Sequence, residues 1–311
     1  MIIYLVKRLL WVIPIMWGVS TLVFSMIHLV PGDPVEIMLG ETASIASRKQ
    51  LEARLGLNRP LSVQYLDFLR SCLRGNLGDS IHSGRKVSRI ISDHLPATLE
   101  LSLGAMIIAI LIALPAGIVS ALKYNTLTDH SLMVFSLVGV SLPNFWLGPL
   151  FIIIFSIQFG WLPVSGRGSL KHLILPSITL GFSMAAILAR MTRASLLDNL
   201  RQDYFRTATA KGRSRLGAIV RHSLKNAVIP VITITGLQLG SLLAGSIITE
   251  QIFAWPGIGR LTIQAINTRD YPLVQGCILT ISLLYVLINL LTDISYALVD
   301  PRISLSADGQ T

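Results

Sequence analysis

The chain has 311 residues, 52% of them hydrophobic and only 14% charged, with a mean hydropathy of +0.65 and a formal net charge of +10. A chain so apolar is mostly membrane-embedded helix with one sizeable extramembrane loop, which excludes an ordinary soluble domain. The positive charge raises nucleic-acid binding, but the placement of the basic residues between apolar segments argues against it.

Segments of about 20 apolar residues, enough to cross a bilayer core about 30 Å thick, run from Leu9 to Val30, Leu99 to Leu122, Leu132 to Phe159, Leu173 to Leu196, Ala227 to Thr249 and Leu273 to Val299. These predict six spans. Lys7 and Arg8 precede the first, but Leu9 to Val30 exceeds the apolar core of a signal peptide, about 7–15 residues long. Pro31-Gly32-Asp33-Pro34 offers no small-x-small cleavage site, so the segment is read as a retained span.

Between the first two spans lies a long loop with mixed charge. Ser47 to Leu55 reads as a short helix stopped by Gly56, Leu61 to Leu73 as an amphipathic helix begun by Pro60, and Val87 to Leu95 as a helix ending before Pro96. Leu66, Leu69 and Leu73 share a face that needs a cover. The layer is expected to pack on the outer mouth of the bundle, where it can also serve as a platform for a soluble partner. Cys72 and Cys277, one in this loop and one in the last span, give no disulfide framework and no metal spacing.

Small residues recur every fourth position at Ala105, Ala109, Ala113 and Gly117 in the second span, and at Gly236, Gly240 and Ala244 in the fifth. Lipid gives helices no hydrophobic reason to associate, so close backbone approach does much of that work. The stripes mark either ordinary packing or a surface that slides when a pathway opens. Asn144, Gln238, Glu250, Asn289 and Asp293 are costly in a membrane. They are candidates for a water-filled path or for buried contacts, with Asn144, Gln238 and Glu250 taken as possible pathway-lining residues.

The stretch from Arg190 to Lys225 carries nine basic residues, Arg190, Arg193, Arg201, Arg206, Lys211, Arg213, Arg215, Arg221 and Lys225, against Asp198 and Asp203. Its density of positive charge predicts a cytoplasmic loop, and with Lys7, Arg8, Lys123 and Arg302 it puts both termini inside. Tyr204, Phe205, Ala208 and Ala210 form an apolar knob followed by Gly212, which permits a turn. No G-x-x-x-x-G-K-[ST] loop, G-x-S-x-G elbow or H-E-x-x-H pairing occurs, so no catalytic residue, metal site or nucleotide site is assigned to this chain.

The stretch from Tyr204 to Pro230 resembles the cytoplasmic coupling loop of ABC importer permeases, in the dipeptide, oligopeptide and nickel subfamily. Pro31-Gly32-Asp33-Pro34, Leu95 to Leu101, Ser141 to Trp146, Trp255 to Gly259 and Arg269 to Pro272 also resemble landmarks of that subfamily, so the likeness covers nearly the whole chain. Where the general importer consensus has Glu-Ala-Ala, this chain has Arg206-Thr207-Ala208, with no acidic residue at the first position.

The resemblance implies an all-α membrane protein with the type I ABC importer permease fold. Residues 1–30 form the N-terminal span and 31–98 a helical extracytoplasmic loop region. Residues 99–300 form the permease core, with a coupling loop at about 197–226, and 301–311 a cytoplasmic tail. It implies an ATPase-coupling role for Tyr204, Phe205, Arg206, Thr207, Ala208, Lys211 and Gly212. Expected partners are a homologous second permease, two cytosolic ATPase subunits that bind ATP and magnesium, an extracytoplasmic substrate-binding protein and the lipid of a bacterial inner membrane. Di- or oligopeptides are the expected cargo, with nickel or another metal complex as the alternative. An ion-coupled secondary transporter would need its own midplane ion site, and paired intramembrane acids are missing.

Overall fold

The computed structural model describes residues 2–29 and 58–299. Pro31-Gly32-Asp33-Pro34, the helix expected from Ser47 to Leu55 and the tail at 301–311 lie outside the described residues, as does the side chain of Ala244. The elements are α1 (Ile2–Leu29), α2 (Leu61–Leu73), α3 (Val87–Leu122), α4 (Leu127–Ser141) and α5 (Asn144–Phe151), the last running on as a π-helical segment (Ile152–Gln158). Then come α6 (Leu170–Leu200), α7 (Asp203–Ala210), α8 (Arg215–Ala218) with a second π-helical segment (Ile219–Ser223), α9 (Leu224–Ile252), α10 (Ile258–Asn267) and α11 (Tyr271–Val299).

Single helices long and apolar enough to cross a membrane are Arg8–Met26, Val87–Leu122, Leu170–Leu200 and Tyr271–Ser295. Two bent pairs also qualify, Leu127–Ser141 with Asn144–Gln158 at 103° and Leu224–Leu242 with Ser246–Ile252 at 54°, giving four to six candidate spans.

The segment expected as one span from Leu132 to Phe159 is therefore broken. Pro143 is the cause: it pushes Leu142 out of the helical region, to φ −84° and ψ 121°, and a new helix starts at Asn144. Pro96 has the opposite outcome. The helix from Val87 continues through it to Leu122 instead of ending at Leu95. Contacts just beyond Pro96, where Ala97 accepts from Trp255 and Thr98 donates to Glu250, hold the chain helical there against the local preference.

The centre is the pairing of α3 with α6. Ala105, Ala109 and Ala113 are fully buried. A Cβ on Gly181 would lie 2.6 Å from the Ala105 carbonyl oxygen, and one on Gly117 would lie 2.6 Å from Thr192 Cβ. The backbones are thus as close as two helices allow. On α9, Gly236 abuts Thr292, and a Cβ on Gly240 would lie 3.2 Å from the Tyr285 ring, so this second stripe faces α11.

The bonds between elements sort into two ends. At one, Arg8 near the start of α1 grips Asp293 near the end of α11 at 2.9 Å, and α7 lies against the ends of α3 and α6. At the other, α10 fills the space beside the starts of α3 and α11. Here α2 docks on α1 through Tyr65 and Phe68, with Tyr65 bonded to Thr21 at 2.6 Å and Phe24 in contact with both rings. The leucine face expected to be covered is covered only in part: Leu69 is half-buried, while Leu66 and Leu73 are exposed, because the two aromatic rings, one turn apart, offer the larger apolar surface and take the buried side.

Candidate functional site

At the α7 end, Asp203 stands in the first turn of the helix, where a negative charge meets the positive end of the peptide dipoles. Gly212, at φ +80°, closes it: Gly212 N–H donates to Thr209 O at 3.0 Å and Arg213 N–H to Ala208 O at 3.3 Å. Phe205 and Ala208 lie one turn apart and pack on Leu122, Leu200, Ala218 and Ile219. Burying such a phenylalanine contributes about 1.5–3 kcal/mol, so this face anchors α7 to its own chain.

The knob expected from the sequence is thereby divided. Phe205, 9% exposed, and half-buried Ala208 turn inward, while Tyr204, Arg206, Thr207, Ala210 and Lys211 remain outward. An amphipathic helix this short needs its apolar stripe to stay attached, which is why those two residues are not on the free side. The Tyr204 hydroxyl donates to Asn199 Oδ1 at 2.5 Å and braces the turn from α6.

Nearby, Asp129 on α4 accepts two bonds from Arg193 on α6, both at 2.7 Å, one from Ser120 on α3, and the Asn125 N–H at 2.9 Å. The Arg193 guanidinium also sits 5.4 Å from the Tyr124 ring centroid. In the sequence Arg193 is one of nine basic residues set against Asp198 and Asp203, and Asp129 lies outside that stretch. Thr126, three residues before Asp129 at the start of α4, was the available signal, since that spacing marks a helix N-terminus.

At the α10 end, Glu250 is fully buried. Its carboxylate accepts from Thr98 Oγ1 at 2.9 Å, Ser246 Oγ at 3.2 Å and Arg260 N at 2.9 Å. The Thr98 oxygen receives Ile258 N–H at 2.8 Å, and Trp255 Nε1–H donates to Ala97 O at 2.7 Å. The first N–H groups of α10, which have no partner within the helix, are thus capped from α9 and α3. A Cβ on Gly257 would strike the Glu250 carboxyl, and one on Gly259 would lie 2.8 Å from Ile247 Cα, so both glycines are required by close approach. Two of the sequence landmarks, Leu95 to Leu101 and Trp255 to Gly259, are therefore halves of one joint.

A third landmark works in the same way. Asp270 accepts from Ser80 Oγ at 2.5 Å and from Ile81 N at 3.2 Å, pinning the loop before α3 to the start of α11.

The three pathway candidates occupy different settings. Glu250 is fully buried with its oxygens bonded within its own chain, the buried-contact arrangement that was one of the two readings of this acid. Asn144 begins α5 at the Pro143 bend, half-buried, with its Oδ1 buried and without a hydrogen-bond partner among the described residues. Gln238, also half-buried, lies one turn beyond Thr235 on a stripe of α9. Thr235, Val231 and Val228 of that stripe line an apolar cleft of about 150 Å3 against Ala113 and Leu188. Among the described residues, no three His, Cys, Asp or Glu side chains converge as metal ligands.

The family model for the binding-protein-dependent transport system inner membrane component matches residues 113–305, and that for its N-terminal region matches residues 1–102. The chain belongs to this family. It is 46% identical to a dipeptide transport system permease protein of Alkalihalophilus pseudofirmus, over 97% of this chain and 99% of that protein. It is 45% identical to a di/tripeptide transport system permease protein of Pseudomonas aeruginosa, with the same shares covered. A glutathione transport system permease protein of Escherichia coli K12 is 43% identical over 96% of this chain and 98% of its own.

Among solved structures, an inward-facing methionine ABC transporter matches this inner membrane component with a TM-score of 0.56 and 16% identity, covering 68% of this chain and 96% of that one. An amino acid ABC transporter matches at 0.50 and 18%, over 69% and 94%. At these identities the likeness establishes the fold, that of an ABC importer permease. Members of the family are membrane subunits without catalytic groups of their own, and the geometry gives this component two tools: an exposed helix at one end and a rigid capped joint at the other.

Proposed function

We propose that the chain is one permease subunit of an ATP-driven importer of di- or oligopeptides, crossing the membrane six times with both termini in the cytoplasm. The observation that carries it is the near full-length identity to two permeases named for di- and tripeptide transport. Counting each bent pair as one crossing supports six spans. The Arg8–Asp293 pair, which joins the two ends of the chain, supports termini on one side. The nine basic residues around α7 support the cytoplasm as that side.

In this reading the outward side chains of α7, Tyr204, Arg206, Thr207, Ala210 and Lys211, dock on a cytosolic ATPase that binds ATP and magnesium. A homologous second permease completes the pathway, and an extracytoplasmic binding protein delivers cargo. ATP binding and hydrolysis shift the population between two pathway orientations through differential contacts at α7.

Reconstitution of the chain with its second permease, ATPases and binding protein tests the proposal. ATP-dependent uptake of a labelled dipeptide into proteoliposomes is the expected result. Failure of ATPase subunits to co-purify, or absence of uptake with ATP and a loaded binding protein, overturns it.

A further inference from the structure

We propose that the Asp129–Arg193 pair is a positioning device for transport, forcing the α3–α4 corner to follow α6 when α7 is displaced; this rests on the permease reading above. α6 ends at Leu200, and only Arg201 and Gln202 separate it from α7, so a push on α7 passes directly into α6. Further along, α4 meets α6 through Gly139, whose Cβ would lie 3.1 Å from Ala186 Cβ, and through the edge-to-face contact of Phe135 with Phe182 at 5.2 Å. Such apolar contacts resist separation, but they carry no directional bond against sliding.

The ion pair is different in kind. Arg193 presents Nε and one terminal nitrogen to the two oxygens of Asp129, both at 2.7 Å, and this planar fork permits one relative position. The Asp129 side chain is 1% exposed and that of Arg193 24%, so the carboxylate that the fork grips is itself shielded from solvent. The same carboxylate accepts Ser120 at the end of α3 and the N–H of Asn125 in the turn, a non-glycine residue held at φ +60°. One group thus fastens three elements within reach of the helix that receives the ATPase motion. A buried ion pair is seldom needed for stability, because apolar residues of similar size serve as well. A fixed geometry is what the pair supplies and an apolar pair does not.

The test uses the assembled complex in proteoliposomes, with binding protein and labelled dipeptide, and reads complex yield, basal ATP hydrolysis, cargo-stimulated hydrolysis and uptake per ATP. A wild-type complex that hydrolyses ATP without peptide uptake defeats the permease reading itself; the pair is judged only in a complex that transports. Asp129→Asn is expected to assemble with basal hydrolysis intact and to lose at least tenfold in uptake per ATP. The double variant Asp129→Leu with Arg193→Met is expected to assemble but stay uncoupled. The exchanged pair, Asp129→Arg with Arg193→Asp, is expected to recover part of the coupling. Normal uptake per ATP in Asp129→Asn, or in the apolar pair, overturns the proposal. So does failure of all three variants to assemble, which would assign the pair to folding alone.

Discussion

Thr98 donates its hydroxyl to Glu250 across 2.9 Å, joining α3 to the last turn of α9 in a site closed to solvent. The same carboxylate caps α10, so one residue fixes where three helices meet. Replacing Glu250 with Leu leaves the Thr98 hydroxyl and the Arg260 N–H without this acceptor. Each buried unsatisfied donor costs about 1–3 kcal/mol. Glu250→Gln keeps one oxygen and sets its amide against a donor, a loss of one such bond. Thermal unfolding in detergent should rank wild type above Gln above Leu; a Leu variant as stable as wild type would show that the joint is held by Trp255 alone.

Gly181 and Gly18 are both helical glycines with opposite surroundings. A methyl at 181 meets the Ala105 carbonyl oxygen at 2.6 Å, and backbone there has no room to give; at 18 nothing lies within 4 Å. Gly181→Ala is expected to destabilise by about 1–3 kcal/mol. Gly18→Ala should be neutral or stabilising, since alanine favours a helix by up to about 1 kcal/mol over glycine. Equal melting temperatures for the two variants would contradict the close α3–α6 contact.

The division of α7 into an anchored and a free face separates two kinds of defect. Phe205→Ala removes the anchor at a cost of up to about 3–5 kcal/mol and should loosen α7 from its own chain. Ala210→Glu leaves that anchor intact and alters only the outward face. The first is expected to lower the melting temperature of the isolated subunit. The second should leave it unchanged while weakening ATPase co-purification. Ala208→Glu would drive charge into the Phe205 cluster and mix the two effects. If Ala210→Glu bound ATPase and transported normally, the outward face would not be the docking surface.

The two ends can be assigned to sides of the membrane by labelling. Cys277 is buried, and burial pushes the Cys72 thiol up, so both native cysteines react slowly even before they are replaced. In a background lacking them, Asp203→Cys and Ser83→Cys lie on exposed positions at opposite ends. An impermeant thiol reagent added to sealed cells should label Ser83→Cys only. Labelling of both from outside would refute the crossing number.

The sequence by itself determined the class of the molecule. Runs of about 20 apolar residues leave a chain little choice but membrane helix, and charge asymmetry sets an expected orientation, the one proposed above, without tertiary information. The stripes at Ala105, Ala109, Ala113 and Gly117 and at Gly236 and Gly240 were legible for the same reason, because fourfold spacing fixes a helix face. What those faces meet was not legible. That the first lies on α6 and the second on α11 depends on which helices become neighbours.

The tertiary structure decided every case in which two distant segments share one group. Pro96 and Pro143 have the same local chemistry, yet one helix continues through and the other turns by 103°; only the first has Trp255 and Glu250 bonded to the two residues that follow it. Glu250 read as a costly intramembrane acid, and only its donors from 98, 246 and 260 turn it into a brace. Asp129 and Arg193, 64 residues apart, carry no mark of their pairing in the sequence, since an ion pair is a property of two positions in space. Phe205 faces inward for the same reason: its partners Leu122 and Ile219 come from elements that only the fold brings beneath α7.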